Sequence, residues 1–131
     1  MTRKKRSSMG LVAVRIKRVY APPDDSDGLR VLVDRLWPRG IARDKARIDT
    51  WLKDVAPSHD LRRRFHAKPH LWEEFNVAYA AELAQEPAKP HADWVLEQLT
   101  KVTVTLLYAA SNEERNNAVV LRDWLVARMT K

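Results

Sequence analysis

The sequence RVLVDRLWPRG, residues 30–40, joins a short apolar run to a cluster of charged and aromatic side chains. The run at 31–33 is typical of a buried strand, and it stops at Asp34. Behind it, Pro38 and Gly40 influence the directions that the backbone can take, proline by fixing φ and glycine by allowing turns. Parallel α/β sheets bind ligands at the carboxyl ends of their strands. The stretch therefore predicts either a strand that delivers polar side chains to a ligand site or a strand end whose charges pair at the surface.

Two further strands are predicted. Residues 11–20 are rich in β-branched side chains that alternate with basic ones. Residues 102–109 form a dense apolar run, which suits a central position in a sheet. Because helical patterns lie between the strand at 30–34 and the strand at 102–109, we expect these strands to be parallel.

The segment between these two strands begins with a predicted amphipathic helix. Residues 41–55 place apolar side chains three and four residues apart, and Asp44 and Lys45 could open the helix. After a proline, Ser58 is a candidate N-cap for a second helix over residues 59–66.

Three more helices complete the pattern. Apolar stripes run along residues 70–84 and 91–100. Ser111 and Glu114 have the spacing of a capping box, which would open a last helix running to Met129. The sequence thus predicts an α/β fold: a small single domain, three-layer-like, with a short, largely parallel sheet flanked by helices.

Length and charge limit the organisation of the chain and its partners. The 131 residues suit one domain, which we place at residues 10–131 behind a basic flexible tail at residues 1–9. The formal charge is +7, of which the tail supplies four charges, so the remainder is only mildly basic. A pI near 10 favours an anionic partner, either a small molecule or a nucleic acid.

Several site classes are excluded by the composition. Without cysteine there is no disulfide, thiolate metal site or thiol nucleophile, as is common in a reducing compartment. His66 and His70 have a spacing that suits metal binding, but Pro69 interrupts the helix between them and no third ligand is evident. No phosphate-binding glycine loop or hydrolase motif is present. We predict no metal site and no cofactor.

The location of the protein is also predicted from apolar runs. No stretch approaches the roughly 18 apolar residues of a membrane span. Residues 9–14 are too short for the apolar core of a signal peptide. We therefore expect a cytoplasmic protein with no membrane partner, and the pattern leaves the oligomeric state open.

A longer set of motifs continues the stretch at 30–40. Its members are Lys45, WLK at 51–53, APS at 56–58, LR at 61–62, Trp72, Phe75, Tyr79 and LLYA at 106–109. With them the chain resembles, from about residue 16 to residue 125, the YeaO-like group of the DUF488 family, bacterial proteins without an established activity. The resemblance implies a small α/β domain with a partly parallel sheet, in which Asp-Arg-x-x-Pro and Leu-Leu-Tyr-Ala segments each close a strand.

The same resemblance singles out one position. The last helix of that group usually opens with Asn-His-Ala, which aligns with Asn116, Asn117 and Ala118. Asn117 therefore stands where histidine is typical. An amide cannot take a proton near neutral pH, so a mechanism that used this histidine as a general base would be missing here.

The candidate site lies beyond the strands that end at Asp34 and Tyr108. If these strands are adjacent and parallel, their carboxyl ends form one rim, with Asp34 as the candidate catalytic base or nucleophile. Free amides of a helix beginning near Asn112 would favour an anion, and Tyr20 could stack a base. The candidate ligand-binding residues, rich in donors and positive charge, are Arg35, Trp37, Arg39, Lys45, Tyr108, Ser111, Asn112 and Asn116.

Structural roles for some of these residues remain open. Trp37 also suits packing, Asn116 also suits a cap, and Arg35 also suits an ion pair with Asp34 or Glu82.

Two functions follow. The first is an anionic ligand, phosphate-, nucleotide- or nucleic-acid-like, bound at the rim with or without hydrolase or transferase chemistry. The alternative is a non-catalytic nucleic-acid-binding module that uses the basic tail and Arg62, Arg63 and Arg64.

Overall fold

The computed structural model describes residues 12–129 and contains one parallel sheet. Its strands are β1 (Val14–Arg18), β2 (Leu29–Leu32), β3 (Thr50–Trp51) and β4 (Val104–Tyr108). Their order in the sheet is β1-β4-β2-β3, and every pair is parallel. The three predicted strands are confirmed, each shorter than expected. The predicted basic tail lies outside the described residues.

Five helices accompany the sheet in the described part of the chain. They are α1 (Arg43–Ala46), α2 (His59–Ala67), α3 (Trp72–Leu83), α4 (Ala88–Gln98) and α5 (Asn117–Met129). Two short 3₁₀ turns precede β2 and follow β3, at Asp25–Asp27 and Lys53–Val55. The predicted α/β class and single domain are confirmed.

The centre of the sheet is β4, which is buried at every position. Its register places Leu106 opposite Ile16 of β1 and opposite Val31 of β2. A strand that is paired on both edges and covered on both faces has no solvent side, and this explains why its sequence is a continuous apolar run.

The two faces of the sheet are covered differently. Val31, Leu106 and Tyr108 pack against a large core formed with α3, α4 and α5. Leu32 and Leu107, which point to the opposite face, are covered by a smaller cluster from the segment between β2 and β3. Its members include Trp37, Ile41, Ile48 and Trp51. One face thus carries the helical layer and the other a mostly irregular segment.

The helix predicted over residues 41–55 is wrong. Helix α1 covers only one turn, and Arg47 ends it with φ of 52° in the left-handed region. The chain then pairs with the edge of β2, where Asp49 N donates to Arg30 O and Leu52 N donates to Leu32 O, each at 2.9 Å. Ile48 and Trp51 pack on one face of the sheet, and Leu52 and Val55 pack in the core on the other face. This arrangement produces the helix-like spacing of apolar residues.

The two predicted N-caps have different outcomes. Ser58 caps α2, because its side chain accepts a hydrogen bond from Leu61 N. The capping box at Ser111 is wrong, since α5 begins at Asn117. There the Asn116 side-chain oxygen accepts from Val119 N at 3.1 Å and caps the helix.

No helix among residues 12–129 combines the length and apolar character that a bilayer crossing requires.

Candidate functional site

Asp34 lies just beyond β2 and joins three elements. Its Oδ2 accepts a hydrogen bond from the backbone N–H of Ala109, directly after β4, at 2.9 Å. Its Oδ1 accepts from the side-chain amide of Asn117, the first residue of α5, at 3.0 Å. The same amide nitrogen donates to the carbonyl of Val33 at 3.1 Å. The carboxylate therefore fastens the end of β2 to the end of β4 and the start of α5.

The electrostatic setting of Asp34 follows from its position. Burial raises the pKa of its carboxyl above the ordinary value, while the hydrogen bonds from Asn117 and Ala109 and the charge of Arg62 act in the opposite direction. Each carboxylate oxygen already accepts from a protein donor. A carboxylate oxygen has two lone pairs, so these bonds fix the orientation of Asp34 and use about half of its acceptor capacity.

Arg35 turns away from Asp34, towards the loop before α2. Its Nη2 donates to the carbonyls of Ala56 and Pro57 at 3.2 and 3.3 Å, and its Nη1 lies 3.9 Å from a carboxylate oxygen of Asp54. Glu82, the other proposed partner, instead accepts from the backbone and hydroxyl of Ser58. The ion pair of Arg35 is therefore with Asp54.

Two guanidinium nitrogens near this junction are buried without a partner. They are Nε of Arg35 and Nε of Arg62, and neither has a hydrogen-bond acceptor among the described residues. The charge of Arg62 acts on the Asp34 carboxyl, so this arginine of the 62–64 triplet lies on the inner side of α2. Arg63 and Arg64 are exposed.

Three predicted ligand-binding residues lie on the other side of the sheet, in the segment that covers its second face. Trp37 donates from Nε1 to Ile41 O at 2.8 Å and packs edge-to-face on Trp51, with ring centroids 5.5 Å apart. Arg39 and Lys45 are exposed. The packing role considered for Trp37 matches this arrangement.

The remaining predicted residues surround the start of α5. Tyr108 is buried at the end of β4, where burial and the charge of Glu113 raise the pKa of its hydroxyl despite a hydrogen bond with Asn116. Asn116 also donates to the carbonyl of Asn112 at 2.9 Å, which closes the loop. The side chain of Asn112 accepts hydrogen bonds from the backbone N–H groups of Glu114 and Arg115. These amides belong to a turn, so the helix N-terminus predicted near Asn112 is wrong.

A groove opens beside these residues, at the carboxyl ends of β1 and β4. Its volume is about 430 Å³. The side chains that line it come from the end of β1 and from around the end of β4: Ile16, Lys17, Arg18, Tyr20, Ala21, Tyr108 and Glu113. Of the eight candidate ligand-binding residues, Tyr108 lines this groove, and so does Tyr20, the residue considered for stacking a base.

Arg18 is the main cation of the groove. Its Nε and Nη2 donate to the carbonyls of Ala110 and Ala109 at 2.9 and 3.1 Å. Its guanidinium carbon lies 5.0 Å from the ring centroid of Tyr20, which is 46% exposed. The Tyr20 hydroxyl donates to Arg39 O at 3.0 Å and links the groove to the covering segment. Sequence reasoning missed Arg18, although its place at the end of a predicted strand was a usable signal.

The other cation of the groove, Lys17, is already paired. Its ammonium lies 2.8 and 2.9 Å from the two carboxylate oxygens of Asp27, which is buried and also bonded to Arg30. Of the two cations that line the groove, Arg18 is therefore the one that has no carboxylate partner among the described residues.

The fold is that of a small single-domain α/β protein. Its four-stranded parallel sheet has β4 between β1 and β2, and the side chains of Asp34 and Asn117 meet at the carboxyl edge of the sheet. Residues 13–131 match the family described as "Inactive DUF488-N3 subclade", and the chain belongs to this DUF488 family.

The chain is similar to bacterial proteins that are described as uncharacterised. The chain is 46% identical to the uncharacterised protein YeaO of Escherichia coli K12 over 114 residues, which cover 86% of this chain and 96% of that protein. It is 42% identical to the uncharacterised proteins Rv3073c of Mycobacterium tuberculosis H37Rv and Mb3100c of Mycobacterium bovis over 119 residues, 88% of this chain and 95% of each. No solved structure matches the chain.

Proposed function

We propose that the protein is a non-catalytic binding domain for a phosphate-bearing ligand of nucleotide size, held in the groove at the carboxyl ends of β1 and β4. The observation that carries this proposal is the combination of Arg18 and Tyr20 in one concave surface. A volume of about 430 Å³ falls within the range of small-molecule sites, and parallel α/β sheets bind ligands at this edge.

The chemistry of the groove suits a nucleotide. Two nitrogens of Arg18 bond to carbonyls, which orients the guanidinium, while Nη1 has no partner among the described residues and is available to a phosphate oxygen. The exposed ring of Tyr20 offers a surface for a base or sugar. The carboxylate of Glu113, which also lines the groove, can accept hydrogen bonds from sugar hydroxyls.

The absence of catalysis is proposed on three grounds. Both oxygens of Asp34 accept hydrogen bonds that join β2 to β4 and α5, which gives this carboxylate a structural role. Asn117, which stands where the resemblance implies histidine, provides one of these donors and cannot act as a base. The description of the matching family as an inactive subclade agrees with both points.

The alternative function, nucleic-acid binding through Arg62, Arg63 and Arg64, has less support. Arg62 is partly buried next to Asp34, and Arg63 is bonded to Asp60 at 2.5 Å. Of the triplet, Arg64 alone is both exposed and without an ion pair among the described residues.

The test is calorimetric titration with nucleoside mono-, di- and triphosphates and with inorganic phosphate. We expect Tyr20→Ala to weaken nucleotide binding about tenfold, since a lost base–aromatic stack is worth about 1–3 kcal/mol. Leu36→Ala is the matched control, because Leu36 is exposed and lies outside the groove. Equal affinities of wild type and Tyr20→Ala would overturn the proposed site, and release of phosphate from bound nucleotide would overturn the absence of catalysis.

A further inference from the structure

The positive charge of the described chain is concentrated in one segment, residues 35–53, which we call the basic flap. It contains six basic and two acidic side chains. The other described residues, 12–34 and 54–129, contain thirteen basic and fifteen acidic side chains. The flap covers the second face of the sheet, so this face is basic while the other described residues together are close to neutral.

Five cations of the flap project into solvent. All are exposed, and none forms an ion pair with a carboxylate of the described residues. They are Arg39, Arg43, Lys45, Arg47 and Lys53. Of the two flap carboxylates, that of Asp49 is taken by the backbone N–H of Arg30 at 2.8 Å. With six basic and two acidic side chains, the flap carries a net formal charge of +4.

Aromatic rings hold two of these cations in place. The guanidinium of Arg43 lies 4.6 Å from the ring centroid of Trp37 and 5.9 Å from that of Trp51. The ammonium of Lys53 lies 5.4 Å from the ring of Trp51. Side chains that are ordered before binding lose less conformational entropy when a ligand arrives.

The backbone of the flap is held in place by Arg30 of β2. The buried guanidinium of Arg30 donates to the carbonyls of Ala46 and Arg47 at 3.1 and 2.9 Å, and it is itself paired with Asp27. The apolar side of the flap packs on Leu32 and Leu107. The flap is thus a supported platform, on which ring contacts hold Arg43 and Lys53.

We propose that the basic flap is a nucleic-acid-binding surface that contacts the phosphate backbone without reading sequence. An extended polyanion fits this surface better than a compact anion does. The depression beside Arg43 and Arg47 also contains Asp24, Asp25 and Asp49, whose charges disfavour a small anion there. A phosphate chain lying across the outer cations releases counterions for each phosphate that the protein neutralises.

This surface is separate from the groove of Arg18, and the inference does not rest on the proposed function. Nucleotide binding in the groove responds to Tyr20, whereas polymer binding to the flap responds to Arg39, Lys45 and Arg47. Either proposal can fail while the other stands.

The experiment is fluorescence anisotropy of the full chain with labelled single-stranded and duplex oligonucleotides of about 20 nucleotides, over a series of salt concentrations. The test variant is Arg39→Gln, Lys45→Gln and Arg47→Gln together. The matched control, Arg63→Gln, Arg64→Gln and Lys101→Gln, removes the same charge from exposed positions outside the flap. None of these six side chains contributes to the core, and far-UV circular dichroism confirms that both variants fold.

We expect the flap variant to bind at least about tenfold more weakly and the slope of log affinity against log salt to fall by about two to three, while the control stays within about threefold of wild type. Single Arg39→Gln should show a smaller loss in the same direction. Equal losses in both triple variants would mean that net charge alone governs binding and would overturn the proposal. Equal affinity for polyglutamate, or no binding by the wild type at low salt, would overturn it as well.

Discussion

The side-chain amide of Asn117 donates to the carboxylate of Asp34 over 3.0 Å and to the carbonyl of Val33 over 3.1 Å. One residue of α5 thereby fixes the backbone at the end of β2 and the side chain that follows it. The second oxygen of Asp34 holds the backbone beyond β4. One carboxylate with two donors thus joins β2, β4 and α5 at the carboxyl edge of the sheet.

Asp34→Asn should destabilise the fold by about 1–3 kcal/mol, because an amide has one acceptor oxygen and its nitrogen would face a donor. Urea unfolding measures the loss. Asp123→Asn, a change on the exposed side of α5, should stay within about 0.5 kcal/mol of wild type. The exchange Asp34→Asn with Asn117→Asp restores one donor–acceptor pair and should recover part of the loss. Equal effects of Asp34→Asn and Asp123→Asn would contradict the role of the junction.

Asp27 should control stability in acid. Burial alone would raise the pKa of its carboxyl, but hydrogen bonds from Lys17, the backbone of Asp24 and Arg30 outweigh burial and lower it. A carboxyl with a lowered pKa in the folded state stabilises the fold above its ordinary pKa, and this contribution is lost as the pH falls through the folded value.

Asp27→Asn should therefore cost most near neutral pH, about 3–5 kcal/mol, since it leaves Arg30 buried without its partner. The difference in Tm from wild type should shrink as the pH drops below about 4. Asp25→Asn, at an exposed neighbouring position, should follow the wild-type profile. A pH-independent difference for Asp27→Asn would show that the carboxylate charge is not what matters.

Gly28 and Gly40 both have positive φ, 65° and 76°, but differ in their surroundings. A Cβ at Gly28 would lie 2.2 Å from the carbonyl oxygen of Thr103, which accepts the first hydrogen bond from β2. A Cβ at Gly40 would meet nothing within 4 Å. We expect Gly40→Ala to cost about 1 kcal/mol through its backbone conformation and Gly28→Ala to cost clearly more, measured by thermal unfolding. Similar losses of stability in the two variants would mean that the backbone near Thr103 moves to accept the new methyl group at little cost.

The Tyr79 hydroxyl should contribute to stability. It donates to the carbonyl of Val55 at 2.5 Å inside the core, where burial raises its pKa. Tyr79→Phe should cost about 1–3 kcal/mol, because it leaves a buried carbonyl unpaired. Tyr20→Phe removes a hydroxyl bonded to Arg39 O at the surface and should cost much less, since water replaces it. Chemical denaturation of both variants provides the comparison.

The strands could be predicted because a parallel sheet buries both faces, so that β4 stands out as an apolar run. Ser58 was recognisable because N-capping is local. The failure at residues 41–55 has a non-local cause: Ile48 and Trp51 lie at helical spacing, yet the backbone around them pairs with β2, which no local pattern reveals.

Part of the candidate site followed from one assumption, that the strands ending at Asp34 and Tyr108 are adjacent and parallel, and this is confirmed. The hydrogen bond from Asn117 to Asp34 does not follow from the sequence, because the capping-box pattern predicts that the last helix starts at Ser111 and not at Asn117. The groove was missed because the end of β1 also borders β4, a relationship set by strand order and not by sequence spacing.

The position of β4 determines when the sheet can be completed. β4 is the last of the described strands to leave the ribosome, yet it separates β1 from β2 and is the only described strand that pairs with β1. Until residue 104 has been synthesised, the chain can form no more of the sheet than the short pairing of β2 with β3. The apolar surfaces of β1 and β2 thus remain without their central neighbour through most of translation, and a message cut short before Val104 yields a chain that cannot assemble its core.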